Sequence, residues 1–412
     1  MIHEADIIYV GEFHFPHGDG AAARVGGIGK ALRDANYSVA FAGLESVAMP
    51  EDIQADGSAC HDGMYYYPAK NFDSFKFARW RRGINYYLTG SSTMDRLRRI
   101  VTNRTRAIIA YHGFSTMLLR LMNFCHRRKI ALITDCTEWY DPHHILWGAL
   151  GLFRWDSELR MHWIQPKIGR MIAISSYLER YYRGRGCRVV RVPPLVDLQD
   201  PQWKPVPDLP RGDGELHLLY AGTPGKKDLL ASALQAVIKL RAQGFPIKVH
   251  LMGASREGLG RWMRRDPAFV DALGDAVSLY GRVPQQQVWE MLPKADFTIL
   301  LREDKRYAHA GFPTKLVESL SAGVPIITNV TGDIGEYVRD MQEGILLDNH
   351  LPEAFEAGVK RIFGMPRSQW HRMRFAARRR AAECFDYRCY ITSLKDFIEG
   401  ALLQKLSSSA GT

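Results

Sequence analysis

The chain has 412 residues and carries 55 Lys and Arg against 44 Asp and Glu, a formal charge of +11. With 46% hydrophobic and 24% charged residues it is neither a disordered chain, a collagen nor a small disulfide scaffold, and its length suits two domains at about 150 residues each. The charge is uneven: residues 70–130 hold 14 Lys and Arg against Asp73 and Asp95, and residues 360–380 hold 8 with no acid, so the remainder is net acidic. Patches of this kind point to anionic lipid, a phosphorylated substrate or nucleic acid. The six cysteines lack CxxC spacing, which argues against a zinc ribbon. No basic leader with an apolar core opens the sequence, and the longest apolar run, near Ile145–Phe153, is far short of the ~20 residues of a spanning helix. The expectation is a soluble protein in a reducing cytoplasm.

Taken in chain order, strands are predicted at Ile7–Val10, Ser38–Ala42, Ala107–Tyr111, Ile130–Thr134 and Met171–Ile174. Helical patterns at Ala21–Ala35 and Thr116–Arg128 lie between them. Near-continuous apolar strands alternating with helices indicate parallel sheets buried on both faces. In such sheets ligands sit beyond the strand C-termini, so the residues just after each strand carry the functional reading. After the first strand, Gly18, Asp19 and Gly20 with three alanines form a small-residue loop entering a helix, open to close backbone approach. Gly26-Gly27-Ile28-Gly29 falls inside that helix, so the dinucleotide fingerprint of an oxidoreductase is missing. His112 follows the third strand, where a histidine can bind a substrate hydroxyl or carry a proton, or simply be a satisfied structural residue. Asp135 and Glu138 follow the next; two carboxylates there suit sugar hydroxyls or a base, and a solvated loop would look the same.

Six prolines in Pro193–Asp213 stop helix and strand alike and mark a linker. Beyond it, strands are predicted at Leu216–Ala221, Ile247–Met252, Val277–Tyr280, Phe297–Leu301, Val324–Thr328 and Gly344–Leu347, with helices at Lys227–Ala242 and Thr314–Ala322. Gly222-Thr223-Pro224-Gly225-Lys226-Lys227-Asp228 opens the first of these helices, where free N–H groups and two lysines suit a diphosphate. In Ala310-Gly311-Phe312-Pro313-Thr314-Lys315, Pro313 suits a helix start and places Thr314 and Lys315 at its N-terminus. Lys315 can neutralise a phosphate, and Glu318, one turn on, can accept both hydroxyls of a ribose.

The run from Gly311 to Pro325 (Gly-Phe-Pro-Thr-Lys…Glu-Ser…Ala-Gly-Val-Pro) resembles the donor-site motif of family 4 glycosyltransferases. The resemblance extends through the 18–24 loop, Ile172–Ser175, Val192–Asp197, Tyr220–Gly222 with Lys226 and Lys227, and Gly281–Pro284. It implies the GT-B fold: α/β, two Rossmann-like doubly wound domains facing across a cleft. The domains expected are 1–195 on the acceptor side, a linker at 196–213, a nucleotide-sugar domain at 214–385, and 386–412 as a C-terminal helix, with the option of packing back on the first domain, and a frayed tail.

The resemblance further implies retaining hexosyl transfer from a UDP- or GDP-sugar to a glycan or polyprenyl-diphosphate-linked acceptor in cell-surface polysaccharide synthesis. His112, Lys227 and Glu318 would be catalytic. Gly222, Lys226, Lys227, Gly311, Phe312, Thr314, Lys315 and Glu318 would bind the donor, with the diphosphate on Lys227 or Lys226, joined by Lys315. Gly18, Asp19, Gly20, Asp135 and Glu138 would face the acceptor. No cofactor or metal is expected, the nucleotide sugar being a co-substrate. One departure stands out: many members carry a glutamate eight residues before the equivalent of Glu318, and here that position is Ala310.

The aromatic-basic segment 72–88, the basic run 372–380 and the apolar Ile145–Phe153 together give the expectation of a peripheral protein on the inner face of the cytoplasmic membrane, not a nucleic-acid binder. A basic solvated helix face and a buried segment are the plain alternatives. A nucleotide-sugar epimerase and a non-catalytic nucleotide- or lipid-binding relative are the rival functions.

Overall fold

Runs of Ile, Leu, Val and Ala become short strands buried on both faces, and amphipathic segments between them become the helices that cover those faces. The computed structural model describes residues 3–18, 20–43, 48–68, 93–139, 151–203, 214–224, 227–263 and 267–409. Its packing divides the chain into two units, Met1–Leu195 with Tyr387–Thr412, and Val196–Asp386.

The first unit contains β1 (Ile7–Gly11), α1 (Gly20–Asp34), β2 (Val39–Gly43), β3 (Ala59–His61), β4 (Met64–Tyr66), α2 (93–100), β5 (Ala107–Tyr111), α3 (Ser115–Arg128) and β6 (Ala131–Cys136). There follow α4 (Leu152–Leu159), a π-helical turn (Arg160–Ile164), α5 (Gln165–Ile168), β7 (Arg170–Ala173), α6 (Ser176–Arg183) and β8 (Arg188–Arg191). The strands form one sheet in the order β3-β4-β2-β1-β5-β6-β7-β8, parallel except for the β3–β4 pair. Alternation along β1 serves both faces. Ile7 and Tyr9 pack with Val25, Ile28 and Leu32 of α1, while Ile8 and Val10 pack with Leu97 of α2 and Leu118 and Leu121 of α3. Gly11 closes β1 at φ +140°, and a Cβ there would stand 1.9 Å from the Tyr111 carbonyl oxygen, so only glycine lets β5 lie this close.

The second unit holds β9 (Leu216–Ala221), α7 (Leu230–Ala242), β10 (Ile247–Met252), α8 (Arg256–Met263), α9 (Pro267–Ala272), β11 (Val277–Gly281), α10 (Gln285–Met291) and β12 (Phe297–Leu300). It continues with α11 (Arg306–Ala310), α12 (Thr314–Ser321), β13 (Ile326–Asn329), α13 (Ile334–Tyr337), β14 (Gly344–Leu347), α14 (Pro352–Phe363) and α15 (Arg367–Cys384). Its sheet is all parallel, in the order β11-β10-β9-β12-β13-β14. Leu216, Leu218 and Tyr220 of β9 face α7, α14 and α15, and Leu219 faces the other way, towards Trp203, Leu292 and Val324. After Asp386 the chain forms α16 (Ile391–Ser409), whose Leu394, Phe397, Ile398 and Ala401 join the core of the first unit beside α1.

Three findings differ from the sequence reading. β3, β4 and β8 were not anticipated; two are three residues long, and β8 is bounded by arginines. Val196–Trp203, expected in a linker, belongs to the second unit: the Val196 amide donates to the Phe385 carbonyl at 2.9 Å and Trp203 is buried. Residues 204–213 of that stretch lie outside the described residues. The basic run on α15 is not simply a solvated face. Arg374 is buried and donates to the carbonyls of Ala295 (2.9 Å) and Pro293 (3.0 Å), and Arg378 donates to those of Ser321, Leu198 and Trp203. Burial pulls the Arg374 guanidinium down to about 10. The aromatic-basic segment 72–88 and most of Ile145–Phe153 fall outside the described residues.

Candidate functional site

In the second unit the site forms where β9 and β12 end and α12 begins. The chain leaves β9 through Gly222 at φ +134°, a conformation that glycine tolerates. A Cβ on Gly222 would lie 2.9 Å from Cε and 3.1 Å from Nζ of Lys315, so the missing side chain is the space the lysine occupies. Lys315 stands in the first turn of α12, where backbone N–H groups lack intrahelical acceptors. Its ammonium donates to Oδ2 of Asp228 at 2.6 Å and sits 4.9 Å above the Tyr220 ring.

Asp228 is the centre of this cluster. Arg302, just past β12, donates from Nε to its Oδ1 at 3.2 Å, and the Tyr220 hydroxyl donates to Oδ2 at 3.0 Å. Burial alone would raise the Asp228 carboxyl, but Lys315 and Arg302 outweigh it and hold it below the ordinary value. The same arrangement raises the Tyr220 phenol, through burial first and the Asp228 charge second. Arg302 is itself fixed through its backbone: its amide donates to Asn329 Oδ1 (3.0 Å) and its carbonyl accepts from Asn329 Nδ2 (2.8 Å). Two cations are therefore held at a strand end and a helix N-terminus around one buried carboxylate.

Glu318 lies one turn along α12 from Lys315. It is half-buried, and its carboxylate has no hydrogen-bond or ion-pair partner among the described residues. Burial pushes it up to about 7, with Lys315 acting in the opposite direction. An acid in this state has its acceptor capacity unspent.

The remaining sequence candidates divide. α7 starts at Leu230, not Lys227, so Lys227 and Asp228 stand in the turn before the helix and α7's own N-terminus lies further on. The turn is pinned by the Leu229 amide to the Leu301 carbonyl (2.8 Å) and by the Tyr307 hydroxyl to the Lys227 carbonyl (3.4 Å). Lys226 lies outside the described residues. Gly311 is buried and ends α11, and Thr314 opens α12, half-buried. The Phe312 side chain is core, its ring against Tyr337 (5.3 Å) and Phe385 (5.9 Å), which leaves only its backbone for a ligand. Ala310 is fully buried and brings no polar group.

In the first unit, His112 follows β5 in a left-handed conformation (φ +45°) and its Nε2 is hydrogen-bonded to Thr137 Oγ1. Gly18 and Gly20 flank the entrance to α1; Asp19 lies outside the described residues. Asp135 corrects the sequence reading. It is 1% exposed and accepts from Tyr9 Oη at 2.5 Å and from Arg24 at 2.6 and 3.0 Å, while Arg24 also donates to the Val192 carbonyl at 2.9 Å. Both oxygens are consumed inside the sheet, so Asp135 cannot meet an acceptor. Glu138, half-buried beyond β6, keeps a position at the strand end. Sequence reasoning passed over Asp228, Arg302 and Tyr220 as functional groups. The available signal was the Tyr220–Asp228 spacing around the Gly222 turn.

Comparison with known proteins bears on this geometry. Residues 203–380, which hold the whole cluster, match the family described as glycosyl transferases group 1. A putative colanic acid biosynthesis glycosyltransferase, WcaL of Salmonella typhimurium, is 24% identical over 187 residues, 45% of this chain and 45% of that protein. The chain thus spans less than half the length of the curated relatives it matches. Among solved structures, sucrose-phosphate synthase from Thermosynechococcus elongatus superposes with a TM-score of 0.68 at 14% identity, covering 98% of this chain and 100% of the other. Anabaena Alr3699/HepE in complex with UDP gives 0.64 at 13%, covering 97% and 100%. At these identities the likeness establishes the fold, and the fold is GT-B.

Proposed function

We propose that the chain is a retaining glycosyltransferase that moves a hexose from a nucleotide-diphosphate donor to a glycan or polyprenyl-diphosphate-linked acceptor in polysaccharide biosynthesis, working on the cytoplasmic face of a membrane. The observation that carries this reading is the cluster itself: Lys315 and Arg302 fixed around Asp228, with Glu318, unpartnered among the described residues, one helical turn away. The group 1 match over 203–380 and the UDP held by a structural relative, HepE, support it.

The chemistry follows from charge. Breaking the anomeric C–O bond leaves negative charge on the departing diphosphate, and one fixed donor aimed at that charge is typically worth ~3 kcal/mol of barrier. Lys315, Lys227 and the orphan N–H groups of α12 are the donors in this proposal. They need no reorganisation, because Asp228 and the Gly222 turn already hold Lys315 in place. Glu318 accepts the ribose hydroxyls. The acceptor attacks from the leaving-group face and the donor diphosphate takes its proton, so no enzymic nucleophile is called for. His112 contacts the transferred sugar, and Gly18, Gly20 and Glu138 face the acceptor. No metal is required by this scheme, since the lysines carry the compensating charge.

Screening UDP-, GDP- and ADP-sugars for a rise in Tm identifies the donor, since only a binder of the folded state stabilises it. Nucleotide release on adding a glycan or lipid-linked acceptor then tests transfer. Ala310 favours one second reading, a relative that binds the nucleotide without turnover, because the glutamate common at that position is replaced by a buried apolar group. Stabilisation without acceptor-dependent release selects that reading, and no stabilisation by any nucleotide sugar rejects both.

A further inference from the structure

α4, the π turn and α5 run on as one continuous helical stretch, and its two sides differ. Ser157, Arg160, Met161 and Ile164 are buried in the first unit. On the other side Trp155 is 75% exposed, Leu159 46% and Trp163 64%, at a spacing of four residues. At 1.5 Å per residue the three form a narrow apolar stripe about 12 Å long. Two exposed cations flank them, Arg154 and Lys167, and the two acids of the stretch are both engaged, Asp156 by Ser115 at 2.9 Å and Glu158 by His162 at 2.9 Å.

α3 packs against this stretch at its start, where the Ser115 amide and hydroxyl bond to Asp156 at 2.9 and 3.1 Å. It has no acidic residue, and Arg120, Arg127 and Arg128 are exposed along it, with Lys129 at its C-cap. Two amphipathic indoles and a leucine, bordered by cations, match the chemistry of an anionic lipid–water interface. Indole rings settle at headgroup depth and each nearby cation is attracted to the surface charge. Three side chains in a row are too little for a stable second copy, which needs about 800 Å² from each partner, but they suffice for shallow insertion assisted by charge.

We infer that Trp155, Leu159 and Trp163, with the basic face of α3, form the surface by which the first unit docks on an anionic membrane. α3 begins three residues after His112, so docking brings the strand ends of this unit close to the bilayer, where a lipid-linked acceptor resides. The inference deepens the proposed function in that respect only. Vesicle binding is read without donor or turnover, so it tests the membrane contact apart from the transfer chemistry, and either of those two can fail while the other stands.

The test is co-sedimentation of the full chain with phosphatidylcholine vesicles, with and without about 30 mol% phosphatidylglycerol, at low salt. Wild type binds the anionic vesicles and is released by salt. Trp155→Ser/Trp163→Ser lowers the partition coefficient at least ~10-fold with Tm unchanged, and Arg127→Glu/Arg128→Glu, which leaves the stripe intact, lowers it on anionic vesicles. Equal binding by wild type and the tryptophan variant overturns the proposal. So does absence of wild-type binding, and a dimer that the tryptophan variant converts to monomer would assign the stripe to a second copy instead.

Discussion

Lys315 and Asp228 are 87 positions apart in sequence and 2.6 Å apart in space, and the ammonium of one is aimed by the carboxylate of the other. Asp228 is a positioning group: it is buried and holds Lys315 and Arg302. Replacing it with Asn leaves two cations uncompensated, and breaking a buried pair in this way costs about 3–5 kcal/mol. Urea unfolding of Asp228→Asn at neutral pH should register that loss. Because the folded pKa of Asp228 is depressed, its contribution is present above the ordinary carboxylate range and is lost as pH falls through the folded value. The gap between wild type and variant should therefore close in acid; a gap independent of pH would rule out an ionised Asp228 as its source.

Glu318 has the opposite linkage. Its folded pKa of about 7 exceeds the ordinary 4.5, so its contribution to stability is complete below the latter and is lost as pH rises through 7. Glu318→Gln should be more stable than wild type in mild alkali and indistinguishable from it in acid, by Tm across the pH series.

Ligand affinity gives a separate pH reading at the same residue. Ribose hydroxyls donate to the ionised carboxylate, so calorimetric affinity for a nucleoside diphosphate should rise several-fold between about pH 6 and pH 8. The titration of the diphosphate itself is common to Glu318→Gln and cancels in the comparison. Parallel curves for the two proteins would remove Glu318 from the ribose.

Lys315→Ala, Lys227→Ala and Glu318→Ala should each lower kcat/KM at least ~10-fold, a loss of about 1.4 kcal/mol of transition-state binding. Steady-state kinetics with the donor found by the stabilisation screen decide this. Near-normal turnover by Lys315→Ala and Glu318→Ala together would take the chemistry away from α12.

Asp135→Asn separates a structural from an acceptor-side role in the first unit. With Arg24 and Tyr9 consuming its oxygens, the variant should lose about 3–5 kcal/mol of stability. The KM for acceptor in the folded fraction should not move.

The strands were legible wherever a run was apolar throughout. Ala107–Tyr111, Leu216–Ala221, Ile247–Met252 and Gly344–Leu347 have the bounds their residues imply, because burial on both faces leaves no other reading. Arg188–Arg191 escaped because two of its four residues are charged, and its pairing with β7 is a tertiary fact. The two sites failed for a similar reason. Asp135 looked like a cleft residue until Arg24, 111 positions away, was found on it, and Asp228 looked like a helix-start residue until Lys315 and Arg302 converged there. Arg374 was lost in a run of like charge, although its place between Trp370, Met373 and Ala377 puts it on the buried stripe of α15.

The return of α16 to the core of the first unit affects how the protein is made. The second unit is one uninterrupted stretch of chain, whereas the first is assembled from two pieces with the second unit between them. On a ribosome the later-starting unit can therefore finish first. Until residues near Phe397 and Ile398 emerge, Ile28 and Leu32 lack part of the apolar cover they have in the completed protein. The first unit thus keeps apolar surface uncovered until the last helix of the chain has been made, the condition in which incomplete domains are prone to aggregate.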